Sequence, residues 1–316
     1  MKLFRQSRNA DGWRAIGFQE GEVRFCHVLR PPNTRPIVTM LGAERISDGG
    51  VQEALKRLAK EWRDRRAACS TAIGANDYHF LPIDAPNVPA AEFKSAISWL
   101  VKDMIDFDHA DATIDIVSVP VDKKTSIKAK TIYAILTRTA LMGSIQRCFE
   151  SAELNLKVID IPEMAQRNIA SLLESEGQAI AMLSFNGDGG LLTFSGGGEL
   201  YLARRIELSL EQLLSANGAP NETALERLAL EIQRSLDNFG RHFSWVSLQK
   251  LVLAPLGQDG SALISYLASN LDKPVAELDM ATVIDFSMRP ELNASLMQHK
   301  YFLTIGLALR YEEQVL

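Results

Sequence analysis

The chain runs twice through the same order of elements, and that repetition limits its fold more than any other feature. The apolar runs "GWRAIGF", "EVRFCHVLR" and "RPIVTML" read as three strands, the first two joined by the turn sequence "QEG". Residues 50–66 then change to a 3.6-residue period, with Leu55, Leu58, Ala59 and Trp62 on one face of an amphipathic helix. After "ESEGQ" the pattern restarts with "AIAMLSF", "GLLTFS" and "ELYLARRI" as strands, followed by two helices. The second helix, "TALERLALEIQRSLDNFGRHF", carries Leu225, Leu228, Ile232, Leu236, Phe239 and Phe243 along one stripe. Thr223 and Glu226 are expected to form a capping box at its start. "LQKLVLAPL", "SALISYLASNL" and "PVAELD" then read as strand, helix and strand, and "QHKYFLTIGLALRY" as one more helix. The strand-rich unit therefore begins at Gly12 and again at Ala179. Such a duplication predicts two related α/β lobes with a cleft between them, where two hairpin turns face each other and offer backbone N–H groups to phosphates.

Between the units lies a block of different character. "DYHFLPIDAPNVPAAEF" is broken by proline and polar turn positions, and Ala90 to Ile105 then runs helical, with Phe93, Ile97, Leu100, Val101, Met104 and Ile105 on one face. "ATIDIVSVPV" and "KAKTIYAILTR" read as two strands joined by the turn "DKKTS", and "TALMGSIQRCFESAEL" as a helix. This helix–strand–strand–helix block is expected to be a small α+β subdomain inserted into the first lobe. "KVIDIP" and "EMAQRNIASLLE" then return the chain to a strand and a helix.

Composition excludes several functions. A formal charge of -5 over 316 residues argues against nucleic acid as the main partner, and the locally basic Lys56 to Arg66 reads as the solvated face of a helix. Cys26, Cys69 and Cys148 are distant from one another and lie in apolar contexts, which points to a reducing compartment. The five histidines form no metal-ligand pattern, so no metal site is expected. Asp103, Asp106, Asp108, His109 and Asp111 lack the spacing of a calcium loop and read as an acidic surface. No GxSxG or Walker A pattern occurs. The first residues have no apolar signal region, and no stretch has the length of a membrane span. The expectation is a cytoplasmic protein that meets a membrane only through a partner.

Four stretches carry a family resemblance: "AEFKSAISWLVKDMIDFDHADATIDI", "GSIQRCFESAELNLKVIDIPEMAQRNIA", "ALEIQRSLDNF" and the closing "TIGLALR". In order and spacing they resemble the PilM family of actin-like proteins of type IV pilus assembly, nearest its MSHA-pilus branch, MshI. The resemblance implies an actin-like, ribonuclease H-like two-lobed α/β fold. The first lobe would span 1–174 plus 298–316, with the insertion at about 77–154, and the second lobe 175–297. It also implies a cytoplasmic scaffold at the inner-membrane face that binds the short N-terminal tail of a PilN-like single-span protein, with the pilus assembly ATPase as a second partner. The tail's groove would lie between the first lobe and the insertion, near Ala90 to Ile105.

The same resemblance locates the nucleotide cleft, and there the residues depart from the family pattern. In "AIGFQEGEVR", Gly17 stands where the family has Asp, Gln19 where it has Gly, and Arg24 where it has Lys. In "SFNGDGG", Ser184 replaces Asp and Asn186 replaces Gly; Gly187 and Asp188 follow, and Asp-Gly is favoured turn chemistry. In "LAPLGQDG", Ala254 and Pro255 replace the glycines that would lie against the nucleoside. Glu231 and Arg234 remain where the family would contact it, positions that also suit the exposed side of a helix. Magnesium triphosphate needs carboxylates and backbone donors together. The cleft is thus expected to be vestigial, with no catalytic residue and no cofactor. The alternative is an ATP-dependent switch that keeps magnesium nucleotide through Asp188, Glu231 and Arg234.

Overall fold

The computed structural model describes residues 12–62, 67–122, 131–187, 189–214 and 220–310. The first unit opens with strands β1 (Trp13–Gln19), β2 (Glu22–Leu29) and β3 (Ile37–Arg45), then helix α1 (Gly50–Glu61) and strand β4 (Ala68–Ala72). Glu20 and Gly21 form the two-residue turn between β1 and β2, both at positive φ (51° and 72°), as a hairpin matched to strand twist requires. There follow β5 (Tyr78–Asp84), α2 (Phe93–Val101), β6 (Ala112–Ser118), β7 (Thr131–Arg138), α3 (Thr139–Ser151), β8 (Asn155–Asp160) and α4 (Pro162–Ala170). The second unit consists of β9 (Gln178–Asn186), β10 (Gly189–Gly196), β11 (Glu199–Ile206), α5 (Leu210–Leu213), α6 (Glu222–His242), β12 (Ser247–Leu253), α7 (Ser261–Asn270) and β13 (Val275–Glu277); α8 (Ser295–Ala308) follows it.

The duplication is visible in the strand order. One five-stranded sheet runs β3-β2-β1-β4-β8 and the other β11-β10-β9-β12-β13. In each, three strands form an antiparallel meander and its first strand pairs in parallel with the strand after the helices. Side-chain alternation along β1 explains the layering. Ile16 points to an outer core with Leu55, Leu58, Trp62 and Phe149, built from α1 and α3. Ala15 points to an inner core with Ile169, Ile305 and Phe302 from α4 and α8. Ile180 and Met182 of β9 reach that inner core from the other side, while Ala179, Ala181 and Leu183 meet α6 and α7. The two sheets therefore share the α4–α8 layer. Gly306 allows this close approach, since a Cβ there would sit 2.3 Å from the Ala165 carbonyl oxygen.

The insertion is a three-stranded antiparallel sheet, ordered β5-β7-β6. One face packs on α2 through Ile97, Val101, Ala134 and Leu136. On the other, Tyr133 stacks on Phe80 (4.4 Å between centroids) and donates its hydroxyl to the Tyr201 carbonyl of β11 at 3.2 Å. Three expectations need correction. The proline-bearing segment after "DYHF" is strand β5, and it tolerates Pro82 because it lies at a sheet edge. The helix expected to Ile105 ends at Val101, and Ile105 reaches the apolar cluster from a turn. Helix α6 is capped by Asn221, which accepts the Ala224 N–H, rather than by Thr223 and Glu226. The expected "DKKTS" turn falls outside the described residues except for Asp122.

Candidate functional site

The first hairpin turn is closed on itself. Gly17 lies on β1 facing α8, and a Cβ there would come within 2.9 Å of Thr304 Oγ1, so α8 fills the space a longer side chain would need. Arg24 is buried, at 4% exposure. Its guanidinium donates to Gln19 Oε1 at 2.8 Å and to the Lys300 carbonyl at 2.9 Å, and it pairs with Glu20 and Glu22. Lys300 reaches Glu22 at 2.8 Å, and its hydrogen bond, with that of Arg24, holds the Glu22 carboxyl below its ordinary range. Two bases and two acids thus satisfy one another around the turn.

In the second hairpin, Ser184 is buried and donates its hydroxyl to Gln166 Oε1. Gln166, fully buried on α4, donates its amide to the Met182 carbonyl (2.8 Å), the Leu191 carbonyl (3.1 Å) and Thr193 Oγ1 (2.9 Å). Asn186 ends β9 opposite Gly189, and Gly187 begins the turn; Asp188 lies outside the described residues. Near the third motif, Ala254 donates its N–H to the Leu183 carbonyl, and the Pro255 carbonyl accepts from His299 at 2.8 Å. Gly257 packs against the His299 ring.

Of the residues singled out from sequence, Gly17, Gln19 and Asn186 line one cavity of about 370 Å³. Its walls come from β1, the loop after β4, α3, the start of α4, and α8. Ser184 is held by Gln166 beside it. Glu231 and Arg234 do not line it; they pair with each other at 3.4 Å, and Glu231 also pairs with Arg204 of β11. At the start of α4, sequence reasoning missed a buried cluster. Glu163, 1% exposed, accepts the Tyr78 hydroxyl from the insertion and lies 3.6 Å from Arg205 of β11. Burial pushes its carboxyl pKa up, against the pull of Tyr78 and Arg205. The only signal for this role was the polar run "EMAQRN" in a short helix, which offers no apolar stripe wide enough to face solvent on its other side.

A second cavity, of about 550 Å³, separates the insertion from the first sheet. Every residue from Thr113 to Ser118 on β6 lines one side, and Lys157 to Asp160 on β8 line the other. Both strands are outermost in their sheets, so among the described residues no strand pairs with the edges facing this groove. Ile73, Ile135, Met142 and Met164 form an apolar floor, and Lys94, Asp115 and Glu199 are among its charged residues.

No protein-family model matches the chain, and no curated protein matches it. Solved structures do. A chain of a PilM–PilN type IV pilus biogenesis complex superposes with a TM-score of 0.72 at 17% identity, over 96% of this chain and 99% of that one. A Bacteroides thetaiotaomicron protein with an actin-like ATPase fold matches at 0.49 and 12% identity, over 92% and 99% of the two chains. The cytoplasmic domain of EpsL, an inner-membrane component of the type II secretion system of Vibrio cholerae, matches at 0.43 and 11%, over 62% and 71%. With its two sheets of matching strand order joined through α4 and α8, the chain has the actin-like α/β fold.

Proposed function

We propose that this chain is a scaffold of a type IV pilus inner-membrane assembly platform, of the MSHA-like branch, that captures the N-terminal tail of a PilN-like single-span protein. The observation that carries this reading is the groove between two strands that are outermost in their sheets among the described residues: an extended tail entering it adds a strand to β6 or β8 and sets alternate side chains on the apolar floor. The likeness to a chain of a PilM–PilN complex supports the choice of partner. The pilus assembly ATPase is the second partner in this reading. The protein works at the cytoplasmic face of the inner membrane and reaches the membrane through its partner; among the described residues no helix is long and apolar enough to cross one. In this reading the first lobe is 1–174 plus 298–316 with the insertion at about 77–154, the second lobe is 175–297, and α3 of the insertion packs on the first lobe through Phe149 beside Leu55.

The scaffold is not an ATPase on this reading. The described residues do not fit a magnesium nucleotide: the two positions for metal-organising carboxylates are Gly17, shut by Thr304, and Ser184, bound to Gln166, while Arg24 is neutralised within its own turn. The test is fluorescence anisotropy with a labelled peptide of the N-terminal tail of a PilN-like single-span protein. Asp115→Trp places a bulky ring on an exposed groove position and is expected to weaken capture by about ten-fold or more. Capture unchanged by Asp115→Trp, or absent in the unaltered protein, refutes the groove assignment.

A further inference from the structure

The cavity between the hairpin turns has the makings of a ligand site of another kind. At about 370 Å³ it falls in the size range of small-molecule pockets, about 300–1,000 Å³. Phe18, Ile73, Leu141, Ile145, Phe149 and Leu303 supply its walls. Phe18 meets Phe149 edge to face at 6.2 Å, which fixes both rings. Among the described lining residues the one carboxylate is Asp77, exposed at the rim, and no lysine or arginine is present. Arg24, which would draw an anion toward the turn, is held by Glu20 and Glu22. A few polar groups converge on the apolar space. Gln19 has its Oε1 taken by Arg24, which leaves its NH₂ to donate, and Ser144 donates to the Leu141 carbonyl, which leaves its oxygen lone pairs to accept.

We infer that this cleft binds an uncharged, mainly apolar small molecule bearing a carbonyl, which accepts from the Gln19 amide, while any hydroxyl the molecule carries donates to the Ser144 oxygen. Charge decides against anions: an anionic ligand would enter a space with no uncommitted cation among the described residues and would lose its hydration there. An uncharged ligand loses little and buries apolar surface against rings already in place. Because Asn186 reaches the cavity from the second sheet while Gln19 and Ser144 belong to the first unit, an occupant touches both lobes.

Nile red, a neutral aromatic carbonyl compound, is the probe. Titrated into the full chain it is expected to bind saturably at one site with a rise in fluorescence, and excess magnesium ATP is expected to leave that signal unchanged. Ser144→Phe fills the cavity from a half-buried position on α3 and is expected to weaken binding by about ten-fold or more. Leu100→Ser on the exposed face of α2 controls for surface adsorption and is expected to leave binding unchanged. Absence of saturation, equal binding in Ser144→Phe, loss of binding in Leu100→Ser, or displacement by magnesium ATP each overturns the inference. Tail-peptide capture measured on folded Ser144→Phe stands apart, since among the described residues the groove between β6 and β8 shares only Ile73 with this cavity.

Discussion

Replacing Gln166 with leucine tests whether α4 rivets the second hairpin. The side chain is fully buried, and its amide meets three acceptors while its oxygen accepts the Ser184 hydroxyl. The NH₂ has two protons for those three acceptors, so the site holds about three full hydrogen bonds. At about 0.5–1.5 kcal/mol net each, and with acceptors and a hydroxyl left buried, Gln166→Leu is expected to remove about 2–4 kcal/mol. Leucine is close in volume, so little of this loss comes from a cavity. With a urea slope of about 3 kcal/mol per molar, the unfolding midpoint falls by about 1 M, read by circular dichroism. Ser184→Ala removes one of the same bonds. The double variant is therefore expected to lose less than the sum of the singles, by about 1 kcal/mol. A loss below about 0.5 kcal/mol for Gln166→Leu, or strict additivity, would refute the rivet.

Three further outcomes follow from the same geometry. Because burial raises the Glu163 pKa above its ordinary 4.5, the contribution of this residue to stability is fully present below pH 4.5 and is lost as the pH rises through the raised value. The stability of the unaltered protein relative to Glu163→Gln is thus expected to fall with rising pH, and a difference that grows instead contradicts the burial argument. Millimolar magnesium ATP is expected to leave the thermal midpoint unmoved, and Asp188→Ala to change nothing in that titration; a nucleotide bound at micromolar strength would add about 4 kcal/mol and a rise of several degrees. Leu100→Ser, at a side chain 55% exposed, is expected to change stability by less than about 0.5 kcal/mol in chemical denaturation.

Periodicity revealed most of the framework because each sheet strand alternates between two cores and each outer helix buries one stripe. It failed where neighbours override local rules. Pro82 argues against a strand until β5 is known to lie at an edge, and the cap Asn221 lies two residues before Thr223, whose spacing to Glu226 suggested a capping box. In the site, the family resemblance grouped Gly17, Gln19 and Asn186 with five other residues, and the structure puts these three on the wall of one cavity. Glu231 and Arg234 read equally well as surface residues, and the structure pairs them with each other. Glu163 and Gln166 were invisible because their partners, Tyr78, Arg205 and Thr193, are brought to them only by the packing of α4 between the sheets.

The groove between β6 and β8 also has a cost for the protein when it stands alone. Two strand edges that no strand among the described residues pairs with are a template for any extended chain, including an unfolded copy of the same protein, and such edges promote aggregation. Lys157 on β8 and Asp115 on β6 place opposite charges along this slot, a common guard against indiscriminate pairing. On the proposed function, a tail would have to satisfy this charge filter before it could zip into place. If the proposed function holds, cells that make this protein in excess of the proposed partner are expected to accumulate it in insoluble form, so balanced synthesis of the two would be a matter of solubility as well as stoichiometry.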